Sequence, residues 1–218
     1  MPVTATNSFI RPAELGVLSA DGVTCLRGER LIFTDLCIRV SEGNALILRG
    51  ANGSGKSTLL RILAGFIRPE NGKITWNDID VNDSMSAYSG NVIYVGHSDP
   101  VKAALTVSEN LRFWSELDNG MNLTSEALDA FNMTDLENLP AYLLSAGQRR
   151  KLNLARLAIT KRMIWILDEP TTNLDEASID SLVGLMKRHL QLAGIIVIAT
   201  HLQLDLRSKV LSLSREAN

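Results

Sequence analysis

Eight residues constrain this chain more than any others. Gly50-Ala51-Asn52-Gly53-Ser54-Gly55-Lys56-Ser57 fits the pattern G-x-x-x-x-G-K-[S/T]. The apolar run Ala45-Leu46-Ile47-Leu48 precedes it, and Thr58-Leu59-Leu60-Arg61-Ile62-Leu63-Ala64 follows as a helical pattern closed by Gly65 and Pro69. Strand, glycine loop and helix are the context in which this motif binds phosphate. The glycines let successive backbone N–H groups converge on phosphate oxygens, and the helix N-terminus adds its dipole. Lys56 is expected to reach the β- and γ-phosphates, and Ser57 to ligate Mg²⁺. The bland alternative is a glycine-rich turn with an exposed lysine. At average residue usage the pattern arises by chance in about one chain of this length in a hundred, and the flanking strand and helix lower those odds further.

The rest of the chain extends the same architecture. Residues Leu31 to Leu48 read as edge strands leading into one buried strand, Lys73 to Val81 as a strand and turn, and Asn91 to Val95 as a further strand. Leu105 to Leu144 is helical in pattern. Met163 to Leu167 and Ile195 to Ala199 read as buried strands separated by a helix over Ile179 to Leu192. The alternation predicts an α/β fold with a mostly parallel core sheet, an antiparallel β edge and a helical subdomain at about 98–160. With 45% hydrophobic and 21% charged residues, the chain has material for one sizeable core or two closely joined lobes. Residues 1–20 carry no secretory core and read as an N-terminal tail before a domain over 21–218. A net charge of -2 and a pI near 5.9 argue against a nucleic-acid partner. No apolar run approaches the ~18 residues needed to span a bilayer, so work at a membrane would require another chain. Cys25 and Cys37 have no metal-ligand spacing and suit a reducing compartment.

Further residues carry chemistry. Met163-Ile164-Trp165-Ile166-Leu167-Asp168-Glu169 is an apolar strand ending in two carboxylates. Asp168 could hold Mg²⁺ through water, and Glu169 could polarise an attacking water. Ser145-Ala146-Gly147-Gln148 opens a helix as a capping box, and this is its ordinary reading. His201 follows a strand, where a lone histidine is more often filler, and Asp175 in Asn173-Leu174-Asp175 suits a helix cap.

The order of these features, with phosphate loop, helical insert, capped Ser145 and acidic strand at these intervals, resembles the ABC ATPase family. That resemblance implies a P-loop NTPase of the ABC type that binds and hydrolyses ATP with Mg²⁺. It implies nucleotide contacts from Gly50 to Thr58 and catalytic roles for Lys56, Glu169 and His201, the last at the switch-histidine position. Ser145, Gly147, Gln148 and Asp175 would then serve the site of a second ATP-binding subunit in a head-to-tail dimer. Two positions depart from the common pattern. His97 stands where most members place a metal-ligating, partner-sensing glutamine, and Arg27 falls near the usual adenine-stacking aromatic.

Those departures resemble one branch. Cys25-Leu26-Arg27-Gly28-Glu29-Arg30-Leu31-Ile32-Phe33, Tyr94-Val95-Gly96-His97, Leu105 to Trp114 and Trp165 to Pro170 are similar to the ATP-binding subunits of cytochrome c maturation haem exporters, the CcmA type. This implies a peripheral subunit on the cytoplasmic or matrix face of an inner membrane, bound to integral membrane subunits. A GTPase would show Asn-Lys-x-Asp, which is absent, and neither a GTPase nor a small-molecule kinase needs the Ser145 signature. A non-transport scaffold ATPase of the iron–sulfur assembly type remains an alternative, as does a transporter subunit for another substrate.

Overall fold

The computed structural model describes residues 16–28, 30–118 and 124–214. Strands β1 (Val17–Arg27), β2 (Arg30–Ser41), β4 (Asn71–Trp76) and β5 (Ile79–Asp80) form an antiparallel sheet in the order β2-β1-β4-β5. Strands β3 (Ala45–Arg49), β6 (Val92–Val95), β7 (Ile164–Asp168), β8 (Ile195–Ala199) and β9 (Ser208–Ser212) form a parallel sheet in the order β6-β7-β8-β3-β9. The expected mostly parallel core sheet is present, and the antiparallel strands form a second sheet beside it.

Residues 17–20, assigned to a tail by the sequence pattern, are the buried start of β1, which lies between β2 and β4. The strand is hard to see in the sequence because Asp21-Gly22 interrupts it like a turn. In the structure these residues sit at register shifts, with Gly22 at φ 62, so the strand bulges and continues. The remainder of the expected tail, residues 1–15, lies outside the described residues. Between β4 and β5, Asn77 and Asp78 have φ of 52 and 64, the pair of left-handed residues that a two-residue hairpin turn needs.

Both faces of the parallel sheet are covered, which explains its unbroken apolar strands. Alternate side chains go to opposite cores. Ile164 and Ile166 join Leu46, Leu48 and Val197 against helix α1 (Lys56–Leu63) and the antiparallel sheet. Trp165 and Leu167 join Ile47, Ile196 and Ile198 against the helices α3 (Val107–Leu117), α4 (Thr124–Ala130), α5 (Ala146–Ile159) and α6 (Glu176–Gln191). A short helix, α2 (Met85–Ser89), precedes β6. Capping boxes set the starts of α3, at Thr106 and Glu109, and of α5, at Ser145 and Gln148. Helix α6 begins three residues before the apolar pattern suggests, because Asp175 caps it by accepting from Ser178 N at 2.9 Å.

Near the end of α6, His189 stacks on Trp165 with centroids 3.9 Å apart, and its Nε2–H donates to the Met163 carbonyl at 3.1 Å. Gly194 lies so close that an added Cβ would meet Nε2 at 2.2 Å. Burial pushes the imidazole below the usual histidine range, against the opposing effect of its backbone hydrogen bonds. The folded state thus binds this proton less readily than the unfolded chain does. The associated stability is complete above the unfolded value of about 6.5 and is lost as pH falls below it toward the depressed folded value. The melting temperature should hold steady from pH 8 to 7 and decline as pH drops below about 6.5. In His189→Gln that decline should flatten, and an unchanged slope would remove His189 as its source.

Candidate active site

Parallel pairing brings three strand tips together. Register places Leu48 beside Ala199 and Asp168 beside Ala199, so the residues that follow β3, β7 and β8 emerge at one edge. This is the carboxyl edge where open α/β sheets bind ligands. Around it lies a cavity of about 640 Å³, lined by Lys56, Ser57, His97, Asp168, Glu169 and His201 among others.

The glycine loop has the tight form its sequence implies. Gly50, Gly53 and Gly55 all have positive φ, at 148, 78 and 98. A Cβ on Gly50 would meet the Leu213 carbonyl at 2.4 Å, and one on Gly55 would meet Ile32 Cγ2 at 2.5 Å. These positions therefore exclude side chains on both conformational and steric grounds. Ser54 Oγ is buried without a hydrogen-bond partner among the described residues. Lys56 is buried, and its ammonium donates to the carbonyls of Gly50 at 2.7 Å and Ala51 at 3.3 Å.

Opposite the loop, Asp168 is 1% exposed, and its Oδ1 accepts from Ser57 Oγ at 3.1 Å. Its Oδ2 faces the Tyr94 hydroxyl at 3.4 Å and His97 Nε2 at 3.6 Å. Among the described residues, the contacts of this buried carboxylate are two hydroxyls and one largely exposed imidazole. That donor set fits a hard divalent cation shared by Ser57 and Asp168. Among the described residues no group of three or more His, Cys, Asp or Glu forms a separate metal cluster. Burial raises the Tyr94 phenol above its usual value, so it remains a donor at neutral pH.

Glu169 has φ 46, a left-handed conformation that a glutamate adopts at a cost. Its amide donates to Ala199 O at 2.9 Å, which fixes it to β8, and its Oε1 lies 3.4 Å from His201 Nε2. Arg49 secures the histidine's segment by donating to the carbonyls of Thr200 and Leu202. A carboxylate and an imidazole thus meet at the cavity wall, where together they can accept a proton from water and orient a phosphate oxygen.

At the outer wall, Arg27 and Arg30 face each other across the β1–β2 turn, with Ile32 beside them. Arg27 therefore lines the cavity, as does His97. Asn52, Gly53, Gly55 and Thr58 line it too. Ser145, Gly147, Gln148 and Asp175 do not. Ser145 and Gln148 are engaged with each other at the α5 cap, and Asp175 pairs with Lys151 at 2.9 Å. Hydrogen bonds from Ser178 and Lys151 hold the Asp175 carboxyl down at about 2. A Cβ on Gly147 would come within 2.9 Å of the Asn173 carbonyl, so this glycine packs the α5 start against the 171–175 turn.

Several site residues are given no role by the sequence. Tyr94 and Arg30 sit in stretches whose resemblance to one branch of the family assigns neither side chain a function. Arg150 lies two residues past the Ser145 capping box, where only its place on α5 points to it. Its buried guanidinium donates to the carbonyls of Gly96, Asp168, Glu169 and Pro170 and to Asp99 Oδ1.

The sequence model of the ABC transporter family matches residues 33–172. The chain is 43% identical, over 89% of its length and 84% of the relative's, to the cytochrome c biogenesis ATP-binding export protein CcmA of Rhodospirillum rubrum. It is 44% identical, over 89% of its length and 96% of the relative's, to the protein of the same name from Bradyrhizobium diazoefficiens. Among solved structures, a putative ABC transporter ATP-binding protein from Pyrococcus furiosus superposes with a TM-score of 0.80 at 22% identity, covering 91% of this chain and 98% of that one. An ATP-binding cassette in a dimeric post-hydrolysis state with ADP and Pi gives a TM-score of 0.79 at 21% identity, covering 92% of this chain and 97% of that one.

Proposed function

The chain belongs to the ABC transporter family, among the CcmA-type ATP-binding proteins of cytochrome c biogenesis, and from that membership we propose that it is the ATP-hydrolysing subunit of a haem exporter complex for cytochrome c maturation. The observation that carries the chemistry is the convergence of the Lys56–Ser57 loop end, Asp168 and the Glu169–His201 pair on one cavity. The backbone amides of the glycine loop and Lys56 bind the phosphates. Ser57 and Asp168 would hold Mg²⁺, which supplies charge neutralisation at the phosphates when bound. Glu169 accepts the proton of the attacking water, and His201 orients beside it. Arg27 takes the base by stacking its planar guanidinium.

Ser145 and Gly147 lie outside their own cavity, as they would if they complete the site of a second copy. On this reading two chains close head to tail over two nucleotides. Gly147→Asp would test this poorly, because any side chain there strains the contact with Asn173. Ser145→Asp is the cleaner variant, since aspartate still caps α5 while bringing a negative charge toward the partner's γ-phosphate. By light scattering, ATP-driven dimerisation should fall while nucleotide binding by the monomer persists. An unchanged dimer fraction would count against a shared site.

Among the described residues no helix is long and apolar enough to cross a membrane. Attachment on the cytoplasmic or matrix face would therefore run through integral subunits. A groove of about 320 Å³ beside the His97 segment, lined by Phe66, Tyr94, Pro100, Trp114, Arg156 and Ile159, is the surface we assign to a short helix of such a subunit. Purifying the chain from detergent-solubilised membranes tests the assignment. Integral membrane subunits are the expected companions, and recovery with soluble iron–sulfur assembly proteins would favour the scaffold reading instead.

A further inference from the structure

Tyr94 belongs to two places at once. Its ring lines the 320 Å³ groove, where Phe66 packs edge-on against it with centroids 5.2 Å apart. Its hydroxyl reaches the other way to Asp168 Oδ2, at 3.4 Å, and Asp168 lines the nucleotide cavity. The backbone explains this reach. Tyr94 pairs with Ile166, and Asp168 lies two residues further along β7, so both side chains project from the sheet face that α1 covers.

Helix α1 meets them with two residues a turn apart. Ser57 donates to Asp168 Oδ1, and Arg61, four positions on and so on the same helix face, brings its positive charge close to the Tyr94 phenol. The phenol oxygen can accept from the guanidinium while its O–H donates to the carboxylate. One carboxylate oxygen is thereby directed at Ser57 and the other is held from behind.

We infer that Tyr94 is a positioning residue, which fixes the Asp168 carboxylate toward Ser57 and joins that carboxylate to the Phe66 side of the groove. The inference rests on the assignment of Ser57 and Asp168 to the metal, and it adds a mechanical link between the groove and the metal site. Phe66 is 65% exposed, so whatever occupies the groove bears on a ring that leans on Tyr94.

Tyr94→Phe removes the hydroxyl and keeps the ring. Mn²⁺ is the probe: the free ion is counted by electron paramagnetic resonance during titration of the full chain with saturating ADP, and ADP affinity is measured separately in excess EDTA. The Mn²⁺ dissociation constant should rise about three- to tenfold, the size expected for removing one hydrogen bond of ordinary strength, as suits a contact of 3.4 Å, while metal-free ADP affinity stays within about twofold. Arg61→Met, at an exposed residue on that same face, should shift the metal constant in the same direction by less. Phe66→Ala should weaken Mn²⁺ binding in the unmutated background and have no further effect in Tyr94→Phe. Equal Mn²⁺ constants for Tyr94→Phe and the unmutated protein, with ADP still bound, would overturn the positioning role. Equal effects of Phe66→Ala in both backgrounds would overturn the link to the groove. If ADP fails to tighten Mn²⁺ binding even in the unmutated chain, the Ser57–Asp168 assignment itself is wrong.

Discussion

Glu169→Gln should retain ATP and lose turnover, with kcat falling by about 10²- to 10⁴-fold, the usual contribution of a positioned general base. The amide has the shape of the carboxylate but cannot accept the proton of the attacking water. The backbone at Glu169 has φ 46 and is tied to β8 through the bond from its amide to Ala199 O, and glutamine occupies that conformation no worse than glutamate. Stability should therefore shift by no more than about 0.5 kcal/mol, as for a substitution that breaks no packing. The substitution also changes the contact with His201 at 3.4 Å, where the histidine is largely exposed and the contact contributes little. A single-turnover assay with equilibrium nucleotide binding separates these quantities. If Glu169→Gln hydrolyses ATP at the unmutated rate, the base lies elsewhere. If it loses ATP binding, Glu169 belongs to the binding wall instead.

The parts of this site legible in the sequence are those where one short segment carries both the chemistry and its support. The loop from Gly50 to Ser57 needs only the strand before it and the helix after it, and both are written in adjacent residues. Asp168 and Glu169 are legible because a buried parallel strand is a continuous apolar run that ends at the carboxyl edge. The capping box at Ser145 is likewise local. What stayed hidden depends on pairing between distant segments. Strand β1 is broken in pattern by Asp21-Gly22, and only its pairing with β2 and β4 shows that the break is a bulge. The reach of Tyr94 to Asp168 follows from the β6–β7 register, and no spacing within one segment encodes it.

Arg150 shows how much of the site's shape rests on such a long-range residue, and its removal should cost more stability than any of the substitutions above. The side chain is 3% exposed and forms an ion pair with Asp99 at 3.0 Å. Its Nε donates to Pro170 O at 3.1 Å, and its terminal nitrogens donate to Gly96 O at 2.8 Å and Glu169 O at 2.9 Å. One planar cation from α5 therefore satisfies carbonyls of the segment carrying His97 and of the segment carrying Asp168 and Glu169. Arg150→Met fills a similar volume with apolar atoms, yet it leaves these carbonyls without this donor and Asp99, among the described residues, with the Asn153 amide at 2.8 Å as its remaining side-chain partner. Breaking a buried, hydrogen-bonded charge in this way costs about 3–5 kcal/mol. Arg150→Lys keeps the charge near Asp99 but lacks the fork that spans both segments, so it should recover less than half of that loss. Urea unfolding gives both values from the midpoint at constant slope. A loss below about 1 kcal/mol for Arg150→Met would mean that the two segments are held by their strands alone. A lysine variant as stable as the unmutated chain would assign the effect to charge and leave the fork no part in it.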